Sequence, residues 1–348
     1  MSIRSISAGR QESLQPVATT DRFLIALRSV VIARILFRVV RRYRRVCFVT
    51  GSAIVALAQL SASSQAVAGP QDSISATYNF VSLDIPAPNG QVRFTNLADI
   101  ADNGDLLDFL VAAPDTPGFL LQQFRTIPIM CENAEFTSPW GINNRGEISG
   151  TCIYRSTSGT SATSQGFLRL QNGDLVFINF PGAISTSAFR LNDNSEVVGY
   201  YQSANRTTHG YIWSNGVFKT IDLPHLVQTF PRGINNLGHV VGDYIDSGGR
   251  NHGFIHYPDG SFSHIDFPGA QATFPTDIND DGQVVGGYRD AQGLVHGFLL
   301  KGGRFFTVIV PFPNSRTNAQ GINQKGQIVG EYGESNSTNS QGFVATPE

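Results

Sequence analysis

A unit of about 44 residues recurs along most of this chain, and strand-like pieces at that period restrict the fold to arrays whose single copies cannot bury their own apolar face. The unit reads Gly-Ile-Asn-Asn-Leu-Gly-His-Val-Val-Gly-Asp-Tyr from Gly233, Asp-Ile-Asn-Asp-Asp-Gly-Gln-Val-Val-Gly-Gly-Tyr from Asp277 and Gly-Ile-Asn-Gln-Lys-Gly-Gln-Ile-Val-Gly-Glu-Tyr from Gly321. Degraded copies start near Asp99, Gly141 and Arg190. The six anchors are Ile100, Ile142, Leu191, Ile234, Ile278 and Ile322, spaced 42, 49, 43, 44 and 44 positions apart.

Residues 273 to 312 show how one copy divides. Thr-Phe-Pro-Thr-Asp-Ile leads into Asn-Asp-Asp-Gly, whose residues tolerate the positive φ angles of a tight hairpin. Gln-Val-Val-Gly-Gly-Tyr is a second strand, His-Gly-Phe-Leu-Leu a third after a polar loop, and Arg-Phe-Phe-Thr-Val-Ile-Val a fourth that ends at a proline. The third strand recurs at Pro117, Gln165, His209, His252 and Gln341. Four short strands per copy without helical periodicity predict propeller blades. A β-solenoid is the competitor, but its repeats are usually shorter and need no two hairpins per unit.

The ends refine this. The chain stops after a third strand, Gln-Gly-Phe-Val-Ala, while Tyr78 to Pro86 matches the fourth-strand sequences from Phe218 and Phe262. The expected fold is therefore an all-β, six-bladed β-propeller over residues 77–348, with four-stranded blades and the N-terminal strand completing the last one (three plus one).

Gly-Ile-Asn-Asn-x-Gly, Val-Val-Gly-x-Tyr, His-Gly-Phe and Ile-Asp-x-Pro, spread over Tyr78 to Phe343, resemble the HAF family of extracellular repeat proteins. The resemblance implies propeller-like repeats and export, and supplies no biochemical role. The first copy departs most, with Ala101, Asp108 and Leu110 where the other copies favour Asn, Gly and Tyr.

Of the 25 Lys and Arg residues, 10 lie in residues 1–68, all Arg, against two of the 27 acidic residues there. The body from Gly69 onward thus carries 15 basic and 25 acidic residues, a charge of about −10 that argues against nucleic acid and anionic membrane as partners. Arg41, Arg42, Arg44 and Arg45 precede an apolar stretch from Val46 to Leu60, followed by Ala66-Val67-Ala68 as a small-residue cleavage site. A membrane anchor is the other reading, but the stretch falls short of the roughly 20 apolar residues of a span. Residues 1–68 are read as an extension plus secretory signal, residues 1–40 as either a basic amphipathic helix or a mis-assigned start, and residues 69–76 as a linker. The expected location is secreted, periplasmic or cell-surface, with no stable membrane insertion once the signal is removed. Cys131 and Cys152 are then left as an even pair in an oxidising compartment, expected to bridge, because Cys131 follows a fourth strand and Cys152 ends the next blade's second strand, where other copies carry Tyr201, Tyr244, Tyr288 and Tyr332, both on the long-loop face.

Candidate chemistry yields mostly structural readings. Asp277, Asn279, Asp281 and Gly282 match half of a calcium loop, but its twelfth position, where a bidentate Glu belongs, is Tyr288. His252 and His256 stand four apart, about 13 Å along a strand and too far for one zinc ion. His209, His252 and His296 are repeat-equivalent, as are Asp84, Asp222 and Asp266, and serve blade geometry. No nucleophile elbow, phosphate loop, metal site or cofactor motif is present.

Function should then sit in residues that depart from the repeat. Two positions before each anchor stand Ala98, Trp140, Phe189, Arg232, Thr276 and Gln320, all different. Trp140, Arg232, His225, Glu135 and Arg316 are expected around the channel mouth on the long-loop face, as solvated loop residues or as a site for an extracellular ligand, glycan or protein. A non-enzymatic binding or surface module is the first reading. A hydrolase or lyase acting on a carbohydrate or lactone at the channel mouth is the second, by fold analogy.

Overall fold

The computed structural model describes residues 56–59, 74, 77–84, 95–109, 117–123, 125–155, 162–223, 228–310, 315–334 and 340–348. The chain divides between Gly51 and Ser52, and every described residue lies in the second unit. The basic extension, the cleavage site at Ala66 to Ala68 and His225 lie outside the described residues. Among those described there is no α-helix, and none long and apolar enough to cross a membrane.

The strands in chain order are β1 (Ala56–Gln59) and β2 (Tyr78–Asp84); then β3 (Leu97–Ile100), β4 (Leu106–Asp108), β5 (Gly118–Gln122) and β6 (Arg125–Ile129). There follow β7 (Phe136–Ile142), β8 (Ile148–Arg155), β9 (Ala162–Arg169) and β10 (Leu175–Ile178). Next are β11 (Ser185–Leu191), β12 (Val197–Gln202), β13 (Thr208–Ser214) and β14 (Val217–Ile221), and β15 (Gln228–Ile234), β16 (Val240–Ile245), β17 (Asn251–His256) and β18 (Phe262–Ile265). The last are β19 (Ala272–Ile278), β20 (Val284–Arg289), β21 (Val295–Lys301) and β22 (Arg304–Val308), then β23 (Ser315–Ile322), β24 (Ile328–Glu334) and β25 (Gln341–Pro347).

Consecutive strands pair antiparallel as meanders, giving an all-β propeller arrangement. The strands β3 to β6, β7 to β10 and β19 to β22 each make a four-stranded sheet. Those from β11 to β18 make two meanders joined by one parallel bridge, Thr208 to Gln228. The fifth sheet runs β23, β24, β25, β2 and β1, with Tyr78 opposite Pro347 and Leu83 opposite Gly342.

Sheets pack face to face because their alternation places the third-strand aromatic inward. Phe167, Tyr211, Phe254, Phe298 and Phe343 are fully buried, and each belongs to a cluster drawn from two neighbouring meanders. The glycine before each aromatic has a steric cause. A Cβ on Gly210 or Gly253 would lie 2.6 or 2.7 Å from the Pro231 or Pro275 ring on the next meander's first strand. Burying one such Phe contributes about 2–3 kcal/mol.

The Cys131–Cys152 disulfide, with a Cα–Cα distance of 5.9 Å, ties the segment after β6 to β8. In other copies the same two positions hold Phe180 and Tyr201, or Phe267 and Tyr288, whose rings stack at 3.6 Å. The bridge therefore replaces an aromatic stack. Two of the recurrent histidines meet recurrent aspartates, His209 Nδ1 lying 3.1 Å from Asp222 and His252 Nδ1 2.9 Å from Asp266, whereas His296 Nε2 meets Asp290 at 2.7 Å.

Candidate functional site

The innermost strands β3, β7, β11, β15, β19 and β23 carry the anchors, and three layers of side chains follow along them. At the tight-turn end, each turn binds the next. Asp102 N donates to Asn144, Asn144 N to Asp193, Asp193 N to Asn236, Asn236 N to Asp280, Asp280 N to Gln324, and Gln324 N back to Asp102, all at 2.8–3.0 Å. One layer in, the Asn143 side chain donates to Asn192 O, Asn192 to Asn235 O, Asn235 to Asn279 O, Asn279 to Asn323 O and Asn323 to Ala101 O. The Asn-Asn-x-Gly turn is thus a belt. Of the calcium-like match, Asn279 belongs to this belt, whereas Asp277 meets Arg190 and accepts from Ile322 N.

One position before the anchors stand Asp99, Gly141, Arg190, Gly233, Asp277 and Gly321, bulky and bare in strict alternation. Arg190 is buried between the two carboxylates, its Nε 3.2 Å from Asp277 Oδ1 and 3.8 Å from Asp99 Oδ1, and its Nη2 donates to Ala98 O and Gln320 O. Asp99 also accepts from Ile100 N and Ile142 N, and Asp277 from Ile322 N, each at 2.9 Å. The bare positions are required. A Cβ on Gly141 would lie 2.7 Å from Arg190 Cα, one on Gly233 2.7 Å from Asp277 Cα, and one on Gly321 2.9 Å from Asp99 Cα. Burial pushes the Asp99 carboxyl up to about 7, with Arg190 opposing and Asp277 adding to the shift; burial raises Asp277 as well. This triad plugs the channel. The cavity between plug and belt holds only about 50 Å³, and the polar side chains on it are bonded to one another.

Beyond the plug, toward the long loops, a cavity of about 190 Å³ is lined by Trp140, Phe189, Arg190, Arg232, Asp243, Phe274, Pro275, Thr276, Asn318 and Gln320. Its floor is Arg190. Phe109, Trp140, Phe189, Tyr200 and Phe230 form an aromatic arc with successive centroids 4.3, 5.3, 5.5 and 5.2 Å apart. Arg232 lies 4.8 Å over the Phe189 ring, and its Nε meets the buried Asp243 Oδ1 at 3.1 Å. The other Asp243 oxygen accepts from Asn251 Nδ2 at 3.0 Å.

The structure brings Trp140 and Arg232 to this cavity from meanders two apart, but not Glu135 or Arg316. Glu135 sits just before β7 and accepts from Arg155 Nε at 2.7 Å. Arg316 lies near the start of β23, opposite Gly333, several residues outside the cavity's layer. Trp140 packs between Phe109 and Phe189, so its faces are partly spent. Sequence reading overlooked the plug and Gly287. The plug was visible as the Asp/Gly/Arg/Gly/Asp/Gly alternation. Gly287 stands where other copies carry Phe109, Thr151, Tyr200, Asp243 and Glu331, and the Asn318 amide oxygen lies 2.8 Å from where its Cβ would be.

No protein-family model matches this sequence, and no curated protein does. Solved structures are similar at low identity. TolB from Acinetobacter baumannii is 14% identical over 68% of this chain and 61% of its own, with a TM-score of 0.47. The SapL1 lectin, solved with alpha-methyl fucoside, is 11% identical over 72% and 92%, at 0.46. A gluconolactonase from Xanthomonas campestris is 9% identical over 84% and 100%, at 0.48.

Proposed function

We propose that this chain is an exported six-bladed propeller of the HAF type that binds a small ligand in the blind cavity at its long-loop mouth. The six-membered cycle of turn bonds and the pairing of β2 with β25 support six blades closed three plus one. The observation that carries the binding reading is the composition of the cavity. Six of its ten lining residues come from two positions that differ in every copy, Trp140, Phe189, Arg232, Thr276 and Gln320 from the one two before the anchor and Asp243 from the other, while equivalent residues elsewhere hold the ring. Binding is favoured over hydrolysis because the one carboxylate on the cavity wall, Asp243, is spent on Arg232 and Asn251, and those beneath its floor, Asp99 and Asp277, are spent on Arg190 and backbone N–H groups.

The test is a thermal-shift screen of glycans and small molecules against the protein and its Gly287→Phe variant. A Phe there fills the space beside Asn318, whose flexible amide can move aside. A ligand should raise the melting midpoint of the parent alone, with both proteins melting alike when free. Ligands that stabilise the two equally would place the site elsewhere. Trp140→Ala and Arg232→Ala serve less well, since the first opens the aromatic arc and the second leaves Asp243 buried and unpaired.

A further inference from the structure

We infer that the mouth cavity takes one ring of a neutral saccharide rather than an anion or an apolar molecule. The inference rests on the binding reading above and narrows it to a ligand class.

Charge argues first. Arg232 is answered by Asp243, and Arg190 faces both Asp99 and Asp277. No unspent positive charge lines the cavity, and the body around it carries about −10. A carboxylate or phosphate would lose its hydration there and gain no free counter-charge. A cation would find the one carboxylate on the wall, Asp243, already bonded.

The unspent groups are neutral. Asn318 and Gln320 are half-buried, line the cavity, and make no side-chain hydrogen bond with any described residue. Each amide offers both a donor and an acceptor, as do the hydroxyls of a sugar. A wholly apolar ligand would cover those amides without satisfying them. On the same cavity, Phe189, Phe274 and Trp140 present apolar surface suited to the C–H face of a pyranose. The volume of about 190 Å³ lies below the roughly 300–1,000 Å³ of drug-sized pockets and so suits one terminal residue rather than a chain.

The chain holds two tryptophans, and Trp213 is buried within its sheet, so Trp213→Phe leaves Trp140 as a fluorescent reporter at the cavity. That variant is titrated with the methyl glycosides of glucose, galactose, mannose, fucose and N-acetylglucosamine, with methyl glucuronide and galacturonide, and with anilinonaphthalene sulfonate as an apolar anion. At least one neutral glycoside should shift Trp140 emission. Its uronate analogue should bind about tenfold more weakly, as should the neutral sugar to added Asn318→Ala or Gln320→Ala changes. A uronate that binds as tightly as its parent, or a response to the sulfonate alone, overturns the saccharide assignment and leaves the cavity a binding site. Silence of Trp140 toward every probe overturns both readings.

Discussion

At Arg190 a single side chain decides the state of the channel. Two buried carboxylates and one guanidinium sum to −1, and the raised Asp99 carboxyl brings the plug to neutrality when it holds its proton. The unfolded chain releases that proton near pH 4, whereas the folded chain keeps it to about 7. Folding therefore takes up a proton across that window, and this group's contribution to stability falls as pH rises through it. Urea melts from pH 4.5 to 7.5, values set about the shift, should show that fall, and Asp99→Asn should flatten it. An unchanged slope in Asp99→Asn would assign the dependence elsewhere. Arg190→Leu leaves two facing carboxylates and should cost about 3–5 kcal/mol, more at alkaline than at acid pH. Gly233→Ala puts a Cβ 2.7 Å from Asp277 Cα, a backbone atom that cannot swing away, and should cost about 1–3 kcal/mol by equilibrium unfolding. This layer was written in the sequence as a strict alternation. It was illegible as a plug because only the packed ring shows that neighbouring inner strands approach so closely that every second one must be bare.

Each element of the repeat was legible where local chemistry sets it. The Asn-Asn-x-Gly turns, the four strands and the buried third-strand aromatics follow from turn residues and period-two patterning. The partners of those turns were not legible, because the belt joins residues about one whole repeat apart. The Cys131–Cys152 bridge shows how interchangeable a blade's devices are, since it occupies the positions of a ring stack. Replacing both cysteines by Ser should cost about 3 kcal/mol by the chain-entropy account of a loop with sequence separation 21. Cys131→Phe with Cys152→Tyr should recover part of that loss, about 0.5–1.5 kcal/mol beyond the area buried, by restoring the stack. Melting both double variants beside the parent under oxidising and reducing conditions checks this. Equal midpoints for the Ser and the aromatic pairs would mean that the site does not accept the stack.

For the whole molecule, the repeats pair off. Odd units carry Asp99, Arg190 and Asp277 in the plug and Asp102, Asp193 and Asp280 in the belt, while even units carry glycine in the plug and Asn144, Asn236 or Gln324 in the belt. A ring built this way needs an even number of units to close without placing two bulky plug residues side by side, which agrees with the proposed six. The proposed closure itself depends on β2, which is donated from the N-terminal side to β25. Glu348 N donates to Thr77 O at 3.0 Å, so the chain end and the start of β2 adjoin as the two arms of a hairpin would. A permutant that begins at Thr95, runs to Glu348 and continues through Asn-Gly into Tyr78–Asp84 should fold with a melting midpoint close to that of the parent, because only β1, at the outer edge of the fifth sheet, is given up and the two-residue turn suits antiparallel arms. Removing Tyr78–Asp84 without returning it should leave the β25 edge open and Phe343 uncovered, and abolish the single cooperative transition. If the deletion melts like the permutant, β2 is an accessory strand and the ring is held by its turn belt alone.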